Sequence, residues 1–226
     1  MSRWAAPEKP SAVLFDLDGT LLDTAPDMVG VLNAICAEEG APAVEFTRAR
    51  AYVSNGAVGL LRLPFPDFDP QRSPELHHRY LALYAERLAA ETRLFPDLGT
   101  VLEDLEQACI PWGVVTNKPR HLTEPLLTAL GLLQRSACTV SGDSLPERKP
   151  HPRPILFALE QIAAEPSRSI YVGDARRDIE SGRAAGATTI AVRYGYVEPG
   201  QDPDTWGADY VVSTTSELRA LLQRRT

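Results

Sequence analysis

The strongest constraint on the fold is a regular alternation of short apolar runs and amphipathic helical patterns, which occupies most of the chain. Each apolar run is rich in β-branched or aromatic residues and ends at a glycine or polar residue. The predicted strands are 11–15, 112–115, 137–141, 169–172, 188–192 and 210–212, and the predicted helices are 98–109, 122–133, 155–164, 178–185 and one from 216. Strands that alternate with helices of this length predict an α/β protein with a Rossmann-like, doubly wound parallel sheet.

Residues 24–91 interrupt this alternation. Helical patterns cover 26–39 and 73–91, a segment rich in Pro and Phe at 63–70 reads as a loop, and no strand pattern is present. A stretch of this length is too long for an ordinary connection between a strand and a helix. We therefore predict an all-helical cap domain at 24–91, inserted after the first strand, and a catalytic core formed by 1–23 and 92–226.

Charge and composition narrow the choice of partners. The chain has 23 basic and 30 acidic residues, a net charge of −7, which argues against a nucleic-acid-binding protein. The first residues lack the apolar region of a signal peptide, and no apolar run reaches the length of a membrane span. We expect a cytoplasmic protein, monomeric or homodimeric, that acts on a small molecule and has no membrane partner. The three cysteines show no disulfide or zinc-site spacing and are expected to be free thiols.

Polar residues follow four of the predicted strands, where ligands bind in an open parallel sheet. These residues are Asp16, Asp18, Thr116, Asn117, Lys118, Lys149, Asp174 and Asp178. Several carboxylates at one edge repel each other unless a cation compensates them, and Mg²⁺ prefers such hard oxygen ligands. A lysine and a threonine beside them suit a bound phosphate, so the set favours phosphoryl transfer.

Four motifs occur in a fixed order along the chain and sit at these strand ends. They are DLDGTLLDT at 16–24, VVTNKP at 114–119, KPHP at 149–152 and VGDARRD at 172–178. Together they resemble the four motifs of the haloacid dehalogenase-like superfamily. The resemblance implies a magnesium-dependent phosphomonoester hydrolase that works through an aspartyl-phosphate intermediate.

The resemblance also implies a role for each matching residue. Asp16 would be the nucleophile and Asp18 the general acid and base. The phosphate would be held by Thr116 and Lys149, with support from Asn117, and the Mg²⁺ ligands would be the Asp16 carboxylate, the Asp18 carbonyl, Asp174 and Asp178. Position 175 is alanine where some relatives carry a second aspartate, which leaves Asp178 as the more probable second acidic contributor.

The insertion resembles the cap of the phosphoglycolate phosphatase and β-phosphoglucomutase branch of the superfamily. Its VSNGA segment resembles a loop that faces the active site in relatives, which makes Asn55 and Gly56 candidate substrate contacts. The segments WGVVTNKP, RDIESGRAAG, AVRYGY and PxxWGAD resemble proteobacterial phosphoglycolate phosphatase-type proteins, and among them the N-acetylmuramic acid 6-phosphate phosphatases of peptidoglycan recycling.

Several alternatives stay open at this point. The main prediction is a phosphoglycolate phosphatase-like activity, and the first alternative is N-acetylmuramic acid 6-phosphate phosphatase. A sugar phosphomutase and a catalytically silent phosphate-binding protein are further alternatives, whereas Asp18 argues against a dehalogenase. By its position before a helical pattern, Asp178 suits a helix cap as well as a metal ligand. Lys118 reads equally as a solvated or structural lysine and as a phosphate contact, and Arg176 and Arg177 read as a solvated face.

Overall fold

The structure of the protein is a computed structural model, and it describes residues 9–224. The strands are β1 (Ala12–Phe15), β2 (Leu22–Asp23), β3 (Arg93–Leu94), β4 (Trp112–Val115), β5 (Cys138–Val140), β6 (Ser169–Gly173), β7 (Thr188–Val192) and β8 (Tyr210–Val212). The helices are α1 (Ala25–Glu38), α2 (Phe46–Arg50), α3 (Gly56–Leu61), α4 (Pro74–Ala85), α5 (Leu98–Gln107), α6 (Arg120–Ala129), α7 (Arg153–Gln161), α8 (Arg176–Ala184) and α9 (Thr215–Gln223). Short 3₁₀ turns lie at Val53–Asn55, Pro166–Arg168 and Pro203–Thr205.

Six of the strands form one parallel sheet in the order β5-β4-β1-β6-β7-β8. This confirms the predicted doubly wound α/β fold, since the six predicted strands are all present with small differences at their ends. The central strand β1 is buried along its whole length, as expected for a strand covered by helices on both faces. Because β4 and β6 flank β1, the residues that follow these three strands meet at one edge of the sheet.

A two-stranded antiparallel ribbon, β2 with β3, was not predicted. Leu22 pairs with Leu94 and Asp23 with Arg93, so the ribbon brings residues 22–23 beside residues 93–94. Strands of two residues are too short to show a period in the sequence. Between β2 and β3 the chain forms α1 to α4 and one 3₁₀ turn, and this segment between the two strands is called the insertion below.

The predicted helix at 73–91 is wrong over its last six residues, because α4 ends at Ala85. The buried carboxylate of Asp27 accepts hydrogen bonds from the backbone N–H of Glu91 and from the N–H and hydroxyl of Thr92. These bonds hold the returning chain against the first turn of α1, so it turns instead of continuing as a helix. Helices α2 and α3 were not predicted either, because they are too short for a helical period to stand out.

The largest apolar cluster connects the sheet with the inserted helices. It includes Phe15 on β1, Leu32 on α1, Leu60 on α3, Tyr80 on α4 and Leu98 on α5, all of them buried. A second cluster, with Leu14 and Tyr171, covers the opposite face of the sheet. Within the described range, no helix combines the length and the apolar character that crossing a membrane requires.

Candidate active site

A cavity of about 340 Å³ lies where the carboxyl ends of β1 and β4 meet the inserted helices. Most of the predicted site residues line it: Asp16, Asp18, Asn55, Gly56, Thr116, Asn117 and Lys149. The other two, Asp174 and Asp178, are fully buried and form a carboxylate cluster with Asp16. The structure therefore brings all of the predicted site residues together at one edge of the sheet.

Lys149 contacts three other buried residues of this site. Its Nζ lies 2.8 Å from Oδ1 of Asp16, 2.7 Å from Oδ1 of Asp178 and 2.8 Å from the hydroxyl oxygen of Tyr171. The Tyr171 hydroxyl in turn donates to the carbonyl of Val115 at 2.9 Å. These contacts use the three N–H groups of the ammonium. Burial opposes its charge, but the Asp16 and Asp178 carboxylates outweigh burial and raise the pKa of Lys149.

We expect Lys149→Met to lower the free energy of unfolding of the metal-free protein by about 3–5 kcal/mol at pH 8, because it leaves buried carboxylates without their counter-ion. Urea denaturation in EDTA measures this. The control is Arg176→Gln, which removes an exposed ion pair with Glu180 and should cost less than about 1 kcal/mol. A loss of stability for Lys149→Met no larger than the control's would contradict the counter-ion role.

Asp16 is held on one oxygen and open on the other. Its Oδ1 accepts from the backbone N–H of Leu17 at 2.8 Å and from Lys149, whereas no donor within residues 9–224 reaches Oδ2. Burial and the Asp178 charge raise the pKa of Asp16 to about 7, although Lys149 opposes the shift. Without a further cation, a proton therefore competes for this carboxylate near neutral pH.

The carboxylate cluster consists of Asp16, Asp174 and Asp178, whose ligand oxygens lie within 4.8 Å of one another. Burial and the Asp178 charge raise the pKa of Asp174 to about 6, against hydrogen bonds from the Tyr196 N–H and the Ser54 hydroxyl. A Cβ at Gly19 would overlap the Asp174 carboxylate, so glycine lets the loop after β1 approach it. Hard oxygens at this spacing, with more negative charge than Lys149 alone balances, fit a bound Mg²⁺.

The position of Asp178 is compatible with both of the roles that the sequence left open for it, a helix cap and a metal ligand. Its Oδ2 accepts from the backbone N–H of Ala175 at 3.0 Å, a capping contact at the start of α8. Its Oδ1 accepts from Lys149, and the side chain belongs to the carboxylate cluster. One carboxylate can therefore cap the helix and contribute to a cation site.

Asp18 lies apart from the carboxylate cluster and forms an ion pair with a different lysine, Lys118. Lys118 Nζ lies 2.9 Å from Asp18 Oδ1 and 2.9 Å from the hydroxyl oxygen of Tyr84, which belongs to α4 of the insertion. Reading Lys118 as a solvated lysine is therefore wrong, since it is buried with 8% exposure between these partners. The structural reading of Lys118 fits this position.

Thr116 and Asn117 occupy different parts of the site. The Thr116 hydroxyl lines the cavity and accepts from the N–H of Lys118, but its own backbone N–H donates to Val140. Thr116 can therefore offer its hydroxyl but not its backbone N–H to a phosphate, because the parallel ladder extends one residue beyond β4. Asn117 makes two hydrogen bonds with the backbone of Lys149, at 3.0 and 3.1 Å, and so fixes the loop that carries the lysine.

The 3₁₀ turn of the insertion closes over the carboxylate cluster. The Ser54 hydroxyl donates to Asp174 Oδ2 at 2.8 Å, and Arg177 Nη2 donates to the Ser54 carbonyl at 2.6 Å. Asn55 lines the cavity and donates from Nδ2 to Glu198 at 2.9 Å. The reading of Arg177 as part of a solvated face is wrong: it lines the cavity, half-buried, and nearby carboxylates raise its pKa against the effect of burial.

Three contact residues were missed in the sequence: Ser54, Tyr84 and Arg177. Ser54 precedes the Asn55–Gly56 pair, so that segment carried a signal for it. Arg177 stands next to Asp178 inside a recognised motif, and that position was its signal. Tyr84 lies within an amphipathic helix pattern, where an aromatic residue usually belongs to the core, and no local signal distinguishes it.

Comparison with known proteins agrees with this geometry. The family model for "Haloacid dehalogenase-like hydrolase" matches residues 13–192. An N-acetylmuramic acid 6-phosphate phosphatase from Pseudomonas putida is 43% identical over 93% of this chain and 95% of its own length. A phosphoglycolate phosphatase from Xanthomonas campestris pv. campestris is 42% identical over 92% of this chain and 95% of its own length.

A solved structure has the same fold. A predicted phosphoglycolate phosphatase from Haemophilus somnus superposes with a TM-score of 0.84 at 24% identity, over 96% of this chain and 99% of that one. The matched range of the family model contains the β1 loop, the insertion, Lys149 and the carboxylate cluster. This chain therefore belongs to the haloacid dehalogenase-like hydrolase family.

Proposed function

We propose that the chain is a magnesium-dependent phosphomonoester hydrolase of the phosphoglycolate phosphatase type, with Asp16 as nucleophile and Asp18 as general acid and base. The observation that carries the proposal is the state of Asp16. One of its oxygens is fixed by Lys149 and Leu17, and the other is open in a cavity at the end of the central strand. A carboxylate held in this way is oriented for attack without further rearrangement.

In the first step, an Asp16 oxygen attacks the phosphorus of the substrate, and the bond between phosphorus and the ester oxygen breaks. Asp18, when protonated, gives its proton to that leaving oxygen, which departs as an alcohol. The Thr116 hydroxyl, which also lines the cavity, donates to a phosphoryl oxygen. Lys149 balances the negative charge of Asp16 and Asp178. Its three N–H groups are already engaged with these carboxylates and with Tyr171, so its role in this step is to balance charge.

In the second step, Asp18 takes a proton from a water molecule, and the water oxygen attacks the phosphorus of the aspartyl-phosphate. The bond between phosphorus and Asp16 breaks, which restores the carboxylate and releases inorganic phosphate. Asp18 ends the cycle protonated, ready for the next leaving group. Lys118, which also donates to the Tyr84 hydroxyl, holds Asp18 through an ion pair during both steps.

Asp16, Asp174 and Asp178, together with the carbonyl of Asp18, would hold the Mg²⁺. When bound, the ion neutralises negative charge on the phosphoryl group and the carboxylates. The charge of these three buried carboxylates supports the assignment. Among the described residues, Lys149 is the one lysine that contacts them, and one ammonium group cannot balance three carboxylates.

The substrate is a small phosphorylated metabolite. The names of the relatives suggest two compounds for it. Phosphoglycolate is the main proposal, and N-acetylmuramic acid 6-phosphate is the alternative, favoured by the 43% identical relative from Pseudomonas putida. The partition into a cap at 24–91 and a core formed by the rest stays a prediction. The cytoplasmic location and the monomeric or homodimeric state also stay predictions.

Phosphate release with Mg²⁺ and with EDTA tests the proposed function. The panel contains 2-phosphoglycolate, N-acetylmuramic acid 6-phosphate, hexose phosphates and nucleotides, each with and without a sugar bisphosphate activator. We expect release that is lost in EDTA and restored by Mg²⁺, without need of the activator. Activity only with the bisphosphate would favour the phosphomutase, and a folded protein with no turnover would favour the silent binding protein.

A further inference from the structure

The cavity is lined by four basic side chains, and the two lysines among them are already engaged in ion pairs. Lys149 is surrounded by Asp16, Asp178 and Tyr171. Lys118 is paired with Asp18 and Tyr84. This leaves Arg177 and Arg148 to be considered as contacts for a substrate.

Arg177 belongs to the carboxylate side of the cavity. Its guanidinium donates to the Ser54 carbonyl, and the charges of Asp178, Asp16 and Asp174 act on it from the same region. Because Arg177 is half-buried beside these carboxylates, it lies near the part of the site where the phosphate would bind.

Arg148 differs from the other three. Its side chain lines the cavity and is exposed, and within residues 9–224 it makes no side-chain hydrogen bond or ion pair. Glu147 precedes it along the chain but forms no ion pair with it. The neighbouring Lys149 is fixed by Asn117 through two backbone hydrogen bonds, so the loop presents Arg148 from an anchored base.

From this arrangement we propose that Arg148 binds a second anionic group of the substrate, a carboxylate that the substrate carries in addition to its phosphate. The inference rests on the proposed function and extends it. A guanidinium presents paired N–H donors that match the two oxygens of a carboxylate. Both compounds named by the relatives, phosphoglycolate and N-acetylmuramic acid 6-phosphate, contain one carboxylate and one phosphomonoester.

Part of the cavity lining is apolar and offers no charged partner to a substrate carboxylate. Met28, Val53, Ala57 and Leu81 form this part, and none of them can compensate a carboxylate. A neutral substituent could lie against these side chains at little cost, whereas a buried carboxylate without a partner is strongly disfavoured. Arg148 is thereby the specificity residue for acidic over neutral phosphomonoesters.

The experiment compares matched substrate pairs that differ by the carboxylate. 2-Phosphoglycolate is paired with ethylene glycol monophosphate, and N-acetylmuramic acid 6-phosphate with N-acetylglucosamine 6-phosphate. For each pair, the ratio of kcat/KM for the acidic over the neutral member is measured in the wild-type protein and in Arg148→Gln. We expect the ratio to fall about 10- to 100-fold in Arg148→Gln and to recover in part in Arg148→Lys.

The control is Arg72→Gln, which changes the net charge equally at an exposed position outside the cavity and should keep the wild-type ratio. An unchanged ratio in Arg148→Gln, with both members hydrolysed, overturns the inference and leaves the proposed function standing.

If the wild-type protein releases phosphate from none of these four compounds and from no other compound of the panel, the proposed function fails, and binding of the four compounds then tests the inference. Calorimetry compares Asp16→Asn with the Asp16→Asn, Arg148→Gln double variant. Tighter binding of the acidic members that depends on Arg148 supports the contact, and equal affinities, or no binding, overturn it.

Discussion

Asp16→Asn is expected to lower the rate of phosphate release by about 10⁴-fold or more, the scale on which the loss of a covalent nucleophile acts. An amide has nearly the shape of the carboxylate but cannot form and release an aspartyl-phosphate. In the structure, Oδ1 of Asp16 accepts from Leu17 and Lys149, and an amide oxygen can keep both bonds. The loss therefore falls on kcat, because binding of the phosphate depends on the surrounding groups.

The fold should survive this change. The substitution removes one buried negative charge from a cluster in which burial and Asp178 raise the pKa of Asp16 to about 7. We expect the free energy of unfolding of the metal-free protein at pH 8 to be equal to that of the wild type or higher. Mass spectrometry after an acid quench should detect a phosphorylated peptide containing residue 16 in the wild type and none in the variant.

The matched control is Asp67→Asn, the same chemical change at an exposed position outside the cavity, which should keep the wild-type rate. If Asp16→Asn retained more than a tenth of the wild-type rate, Asp16 could not be the nucleophile.

Asp18→Asn is expected to lower kcat by about 10²–10⁴-fold for alkyl phosphates, the range of general acid–base catalysis. The size of the loss should depend on the leaving group. An alkoxide needs the proton that Asp18 supplies, whereas p-nitrophenolate leaves readily without one. For p-nitrophenyl phosphate the first step should therefore be nearly intact, and the second step, which needs Asp18 as a base, should become rate-limiting.

Rapid-quench measurement of p-nitrophenol resolves the two steps. We expect a burst equal to the enzyme concentration in Asp18→Asn, followed by slow turnover, with the phosphorylated residue 16 accumulating. Equal losses for alkyl and p-nitrophenyl phosphates, with no burst, would contradict the acid and base assignment of Asp18. Lys118→Met provides a comparison, since it removes the ion pair at 2.9 Å but leaves the carboxylate that would transfer the proton.

The parts of the fold that follow from local pattern were predictable. The six parallel strands recur as short apolar runs, and the four inner ones, β4, β1, β6 and β7, are buried along their whole length, so the composition of the strand alone indicates it. The site residues Asp16, Thr116 and Asp174 could be placed together because the carboxyl ends of adjacent parallel strands meet at one edge. Weaker local signals failed: α2, α3 and the ribbon β2–β3 are shorter than the windows in which a period is visible.

By itself, the sequence determined the fold class, the edge of the sheet that carries the site, and the acidic and basic residues gathered there. Only the tertiary structure decided how these charges are shared. It pairs Lys149 with Asp16 and Asp178, Lys118 with Asp18, and Ser54 with Asp174, and it places Arg148 in the cavity without a side-chain partner among residues 9–224. The reason is physical: ion pairs and hydrogen bonds depend on distances of about 3 Å between residues far apart in the chain, and no local pattern records them.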